Sequence, residues 1–197
     1  MTNTYIFAKS PPIHDNLSMK LLVGLGNPGK EYEKTRHNLG AKFIEFISRK
    51  EGVSMSTKFQ SKVGDFPLTD EKIIILQPQT FMNNSGSAVQ EVKKFYKLQN
   101  KDIYIVFDDL DIAQGSYKIQ FGHYPKVHNG VNDILLKLKS DQINFIRIGA
   151  DGRSQIERKF IQGSSYVLQN VDFDFNSTYE KIYFDFKERV IKEASLD

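Results

Sequence analysis

Apolar residues fall along this chain in two kinds of pattern that alternate. Short apolar runs read as strands covered on both faces: Leu21–Val23, Ile73–Leu76, Ile103–Phe107 and Phe145–Ile148. Between and after them come stripes at helical spacing. These are Gly40, Phe43, Ile44 and Ile47; Val89, Val92, Phe95 and Tyr96; Val131, Ile134, Leu135 and Leu138; and Ile182, Tyr183, Phe186 and Val190. The punctuation agrees. Gly52 is a stop for the first helix, Pro78 ends the second run, Asp108-Asp109 the third and Gly149 the fourth. Ser85 is placed to cap the second helix, and Ser177 with Glu180 fits a capping box for the last. Tyr117–Phe121 reads as a further strand after Gly115, and residues 59–68 as a strand broken by Gly64 and Pro67. Residues 1–18 have no sustained period and contain Pro11-Pro12, so they are expected to be an extension outside a domain spanning 19–197. Met19 would serve as an alternative start. There is no internal repeat and no low-complexity tract.

Buried strands alternating with amphipathic helices predict a single-domain α/β fold, with a mixed, mostly parallel, twisted sheet and helices on both faces. In such sheets ligands bind outside the carboxyl ends of the strands. Three segments leave those ends: Gly24–Gly29 (Gly-Leu-Gly-Asn-Pro-Gly), Gln77–Gly86 and Asp108–Asp111. They are also the most polar and unusual stretches of the chain, so functional groups are expected there.

Each segment has more than one chemical reading. Gly24, Gly26 and Gly29 fit a dinucleotide fingerprint, but no helix period follows for about ten residues and no acidic ribose ligand ends a second strand; a tight turn presenting Asn27 fits better. His37, with Asn38, opens the first helix, where a helix N-terminus would lower its pKa and keep it a neutral base able to take a proton from water. In Asp108-Asp109-Leu110-Asp111 one carboxylate could orient a histidine, or the cluster could bind Mg²⁺. Ser85, Asp108 and His128 stand in the chain order of a hydrolase triad, but Asn83–Gly86 is not G-x-S-x-G. His14 falls in the extension, an unpromising place for a catalyst, and His123 precedes His128 by five residues. Asn27, Asn83 and Asn129 supply neutral amides that donate and accept. Together they suggest a carbonyl or nucleic-acid edge held while water attacks.

Composition narrows the class. Across 197 residues there is no cysteine, which excludes disulfides, thiol catalysis and thiolate metal sites. No apolar run approaches the ~18 residues of a membrane span, and the N-terminus lacks the pattern of a secretion signal, so a soluble intracellular, cytoplasmic protein is expected. The net charge of +3 is uneven. From Asp172 onward the balance is −3, leaving +6 on the rest, compatible with a polyanionic ligand.

The segments together resemble bacterial peptidyl-tRNA hydrolases. The matches are Leu22–Gly29, Tyr32, Thr35–Asn38, Gly40, Thr80–Asn83, Ser85-Gly86, Asp108–Asp111, Gly115, His128–Gly130, Arg147–Gly149 and Tyr166–Leu168, in family order. The resemblance implies a monomeric α/β enzyme that hydrolyses the ester between a peptide and the 3′ end of tRNA, recycling tRNA from stalled translation. It implies His37 as general base, Asp108 as its orienting carboxylate, and Asn27 and Asn129 as amides holding peptide and water. Tyr32, Met82, Asn83 and His128 would lie around the terminal nucleotide and peptide. The implied partner is the acceptor stem and 3′ end of peptidyl-tRNA, with no cofactor, metal, membrane or obligate protein partner. A non-catalytic RNA-binding member of the fold and a small-ester hydrolase are the competing expectations. Both arise from departures: Phe121 where the family carries a cation, a bulkier loop at 121–127 with Pro125 and Val127, and an uncharged Gln169–Val171 followed by an acidic tail. Fewer phosphate contacts predict weaker, less salt-dependent tRNA binding.

Overall fold

The apolar runs form the centre of one sheet in the computed structural model, which describes residues 18–125 and 127–195. The strands are β1 (Ser18–Gly24), β2 (Ser56–Lys58), β3 (Ser61–Leu68), β4 (Glu71–Pro78), β5 (Ile103–Ala113), β6 (Tyr117–Phe121) and β7 (Asn144–Asp151), in the order β2-β3-β4-β1-β5-β7-β6. The neighbours β4, β1, β5 and β7 are parallel, and β2, β3 and β6 complete the flanks through antiparallel pairs. This is a single-domain mixed α/β sheet. β1 begins at Ser18, one residue before the expected domain start, and the rest of the expected extension lies outside the described residues.

Alternation along the central strands sorts the core into two layers. Leu22, Ile73, Ile75, Tyr104, Val106, Ile146 and Ile148 pack under α1 (Leu39–Lys50) and α6 (Asn176–Ala194). Leu21, Val23, Ile74, Leu76, Ile103, Ile105 and Phe107 pack under α2 (Ser85–Tyr96) and α3 (Asn129–Leu138). Two one-turn helices, α4 (Glu157–Phe160) and α5 (Gly163–Tyr166), lie between β7 and α6. Burial on both faces explains why these strands read as apolar runs rather than as alternating patterns.

Several local expectations are corrected. Residues 61–68 form one continuous strand. β2 covers only Ser61–Val63, so beyond that β3 is an edge, where proline is tolerated. β5 runs through Asp108 and Asp109 to Ala113, with a register shift against β7 after Asp109. Gly149 continues β7 rather than ending it, and a Cβ there would lie 2.1 Å from the Ala113 carbonyl oxygen. Ser85 does not cap α2. Its hydroxyl donates to the Met82 carbonyl (3.0 Å), and the Gly86 N–H is taken by Asp133 of α3 (2.7 Å). No capping box forms at Ser177. Asp174 accepts from the Asn176 N–H (2.9 Å), while Glu180 pairs with Lys50 (2.6 Å). Phe95, placed on the apolar stripe of α2, is exposed.

The start of α1 presses against the ends of β1 and β5. A Cβ on Gly40 would fall 2.2 Å from the Val106 carbonyl oxygen, and one on Gly24 2.2 Å from the Gly40 carbonyl oxygen. Only glycine permits so close an approach, and the approach sets His37 over the end of β5.

Candidate active site

A cleft of about 1090 Å³ opens at the carboxyl ends of β1, β4 and β5, where the topology predicts it. Its polar floor comes from Asn27, His37, Asp108 and His128. His37 sits in a one-turn 3-10 helix, Arg36–Asn38, just before α1. A strap formed by residues 163–170 holds that turn. The His37 N–H donates to the Val167 carbonyl (2.9 Å), and Arg36 Nη1 donates to the carbonyls of Gln169 (3.3 Å) and Asn170 (3.0 Å). The Arg36 guanidinium also stacks 3.8 Å from the centroid of Tyr166, over whose ring Arg153 lies as well.

His37 Nδ1 donates to Asp108 Oδ1 at 2.8 Å, with both side chains buried. The ring's other nitrogen, Nε2, is thereby left for the cleft that His37 lines. Burial opposes charging of the imidazole, but the Asp108 charge and hydrogen bond outweigh it, and the His37 pKa lies above its ordinary value. The expected lowering by a helix N-terminus is thus corrected, because an anion in direct contact outweighs a helix end two residues away. Burial also pushes the Asp108 carboxyl up, yet the charge of His37 and hydrogen bonds from His128 and His37 hold it well below the usual carboxylate range.

His128 occupies the N-cap of α3, and its ring does the capping: Nδ1 accepts the Val131 N–H at 3.3 Å. That bond leaves the proton on Nε2, which donates to the same Asp108 Oδ1 at 3.3 Å. One carboxylate oxygen therefore gathers two imidazoles, whose ring centroids are 4.9 Å apart. Among the described residues, His37, Asp108 and His128 are also the trio whose donor atoms approach as a metal site requires, within 4.8 Å. Their bonding is that of a relay: both ring nitrogens facing Asp108 stand at hydrogen-bond distance as donors. The Mg²⁺ reading of the acidic run finds no convergence of carboxylates. Asp109 binds Arg147 Nε (2.6 Å), and Asp111 is exposed. Ser85, fully buried with its hydroxyl spent on Met82, joins no triad.

Asn27 is locked in orientation. Its backbone N–H donates to Asn38 Oδ1 (2.8 Å), Asn38 Nδ2 donates back to its carbonyl (2.9 Å), and its Oδ1 accepts the Met82 N–H (2.8 Å). The Asn27 NH₂ group remains as a fixed donor at the cleft. Met82, Asn83 and Asn129 also line the cleft, whereas Tyr32 lies in the turn before Thr35 and is not part of its wall. The wall residues to which sequence reasoning gave no role are Phe81, Leu110, Gly163, Ser164, Val167 and Leu168, most of them apolar. Phe81, exposed between Thr80 and Met82, and Leu110, between Asp109 and Asp111, both lie in strand-exit segments, which was the available signal. Tyr124, Pro125 and Val127 bring the bulky loop to the rim, with Tyr124 resting on Phe145.

Comparison with known proteins gives the same family as the sequence motifs. The sequence model described as Peptidyl-tRNA hydrolase matches residues 21–194. A peptidyl-tRNA hydrolase of Clostridium novyi is 34% identical over 183 residues, covering 91% of this chain and 95% of that protein. One from Caldanaerobacter subterraneus is 43% identical over 132 residues, covering 66% and 71%. The crystal structure of peptidyl-tRNA hydrolase from Acinetobacter baumannii superposes with a TM-score of 0.69 at 30% identity, covering 90% of this chain and 87% of that one.

Proposed function

The chain belongs to the peptidyl-tRNA hydrolase family, and we propose that His37, poised by Asp108, is the general base with which it cleaves its ester. The enzyme hydrolyses peptidyl-tRNA, separating the peptide from the 3′ ribose. The observation that carries the assignment of His37 is the 2.8 Å bond from Nδ1 to Asp108, which leaves Nε2 for the cleft.

In this reading a water molecule in the cleft gives its proton to His37 Nε2 as its oxygen attacks the ester carbonyl. Asp108 stabilises the imidazolium that forms and keeps the ring in the tautomer with Nδ1–H. The oxyanion of the tetrahedral intermediate is met by the Asn27 NH₂ group, whose direction is set before substrate arrives, and by the amide of Asn129. Collapse of the intermediate breaks the acyl–oxygen bond, and the imidazolium returns its proton to the leaving ribose oxygen, which departs as the hydroxyl. An ester leaves readily, so oriented water and a base suffice without a covalent enzyme intermediate. Met82, Asn83 and the apolar wall receive the peptide and terminal nucleotide. Tyr32, outside the wall, acts at most on the approach to it. We further read the enzyme as a cytoplasmic monomer without an obligate protein partner, its catalytic domain starting at β1. No helix among the described residues is long and apolar enough to cross a membrane.

The test is release of the free N-acetyl-amino acid from N-acetyl-aminoacyl-tRNA by the purified protein, with His37→Ala as control. Wild-type turnover should fall by about 10²–10⁴-fold in the variant. Undiminished release by His37→Ala would overturn the assignment, and RNA binding without any cleavage by the wild type would favour a non-catalytic role.

A further inference from the structure

The α2 and α3 helices both start at the cleft and run away from it side by side. Asn83 and Asn129, at their leading ends, line the cleft; at their trailing ends lies a separate hollow of about 310 Å³. Lys93, Lys94, Lys97 and Lys137 line it. Gln90 Nε2, donating to the Lys137 carbonyl (2.8 Å), bridges the two helices beside it. On α2 the lysines belong to one face, since positions 90, 93, 94 and 97 recur at helical spacing. Among the described residues none of the four ammonium groups forms an ion pair.

A helix dipole accounts for a lysine near each carboxyl end. It does not account for four, from two helices, turned onto one hollow with no carboxylate between them. Such an arrangement costs mutual repulsion that a bound polyanion removes. We propose that this hollow is a second RNA contact, holding backbone phosphates of the tRNA whose 3′ end occupies the cleft. At 1.5 Å per residue the two helices place it roughly 15 Å from the cleft, a span that double-helical RNA covers within one turn. Four ammonium groups set one helix length from the cleft that takes the 3′ end suit the phosphates of that same tRNA better than a lipid surface or an acidic protein. The hollow also supplies, at another place, cations that are missing at Phe121 and from residues 169–172. The proposal rests on the cleft being the peptidyl-tRNA site.

The test compares wild type with the variant Lys93→Gln/Lys94→Gln/Lys97→Gln/Lys137→Gln. Binding of deacylated full-length tRNA is measured by fluorescence anisotropy across a salt series, and hydrolysis is measured on a short N-acetyl-aminoacyl ester lacking the tRNA body. The variant should bind tRNA at least tenfold more weakly at low salt. Its plot of log affinity against log salt should be shallower by about 2–3, with the short ester cleaved at the wild-type rate. The all-arginine version of the four substitutions should bind as the wild type does, which separates charge from folding. Unchanged affinity and slope in the glutamine variant would sink the proposal while leaving the cleft's chemistry intact. So would loss of binding to anionic phospholipid vesicles with tRNA binding unaltered, which would assign the hollow to a membrane. Failure of the wild type to cleave either ester would instead count against the reading of the cleft.

Discussion

A single oxygen, Asp108 Oδ1, governs the chemistry of the cleft, because His37 and His128 both donate to it. The base must be neutral to accept a proton, and contact with Asp108 raises its pKa. Activity should therefore rise with pH, with its midpoint above the ~6.5 of a free imidazole. Asp108→Asn removes the anion, so the midpoint of the kcat/KM profile should move to lower pH while the plateau falls about 10²–10⁴-fold from loss of orientation. His128→Ala should do the opposite to the midpoint. The Asp108 charge, relieved of one donor, acts more strongly on His37 and pushes it upward. The same variant should lose about 0.5–2 kcal/mol of stability with the α3 cap, measurable by urea denaturation. A midpoint that moves the same way in both variants would contradict the sharing. The linkage to folding has two signs. The contribution of His37 is full below its ordinary pKa and fades as pH rises through the higher folded value, whereas that of Asp108 is full above its ordinary pKa and fades as acid reaches the depressed folded value.

At the scale of elements, the catalytic geometry depends on how tightly α1 seats on the sheet. Gly40→Ala would set a methyl against the Val106 carbonyl oxygen and lift the helix start that carries His37. We expect a loss of about 1–3 kcal/mol, a melting temperature lower by roughly 2–12 °C, and a fall in kcat larger than the change in KM. An unchanged melting curve would show that the contact relaxes freely. Much of this architecture was legible beforehand. Four apolar runs marked the parallel centre because burial on both faces erases alternation, and the polar strand exits marked the cleft because parallel sheets bind ligands there. What stayed hidden was tertiary. Nothing local to Gly64 or Pro67 reveals that β3 has a free outer edge, and nothing local to Ser177 reveals that Glu180 is drawn to Lys50. The relay was half legible: the family resemblance paired His37 with Asp108, but that His128 caps α3 with its own ring depends on a backbone N–H three residues on. The apolar wall escaped notice because Phe81, Leu110 and Leu168 lie far apart in the chain and carry no pattern in common.

The whole molecule is closed by α6, which crosses the α1 face of the sheet and is tied to the strands by buried charge. Lys20 of β1 is 4% exposed and reaches Asp102 at 3.0 Å and Glu193 of α6 at 3.7 Å; the Tyr104 hydroxyl donates to the same Glu193 carboxylate at 2.8 Å. Burial opposes the charge on Lys20, but the surrounding carboxylates prevail and raise its pKa. Lys20→Ala would take the cation from Asp102 and Glu193, which keep their bonds to Gln99, Tyr104 and Arg189, and should cost about 1–3 kcal/mol, read as a lower urea midpoint. Lys20→Met, which fills the volume, should differ from it by the packing it restores. Since the folded pKa of the lysine is raised, its contribution persists through neutral pH and disappears only as alkali titrates the folded form.

The strap that fixes His37 has a consequence for how the enzyme is made. While it is translated, the chain is itself a peptide esterified to a tRNA, the very linkage that it cuts. Residue 37 emerges early, but the carbonyls that hold its turn belong to Val167, Gln169 and Asn170, and Asp108 belongs to a strand completed against β7. A growing chain that has not yet reached Asn170 thus lacks the full strap that holds His37 over Asp108.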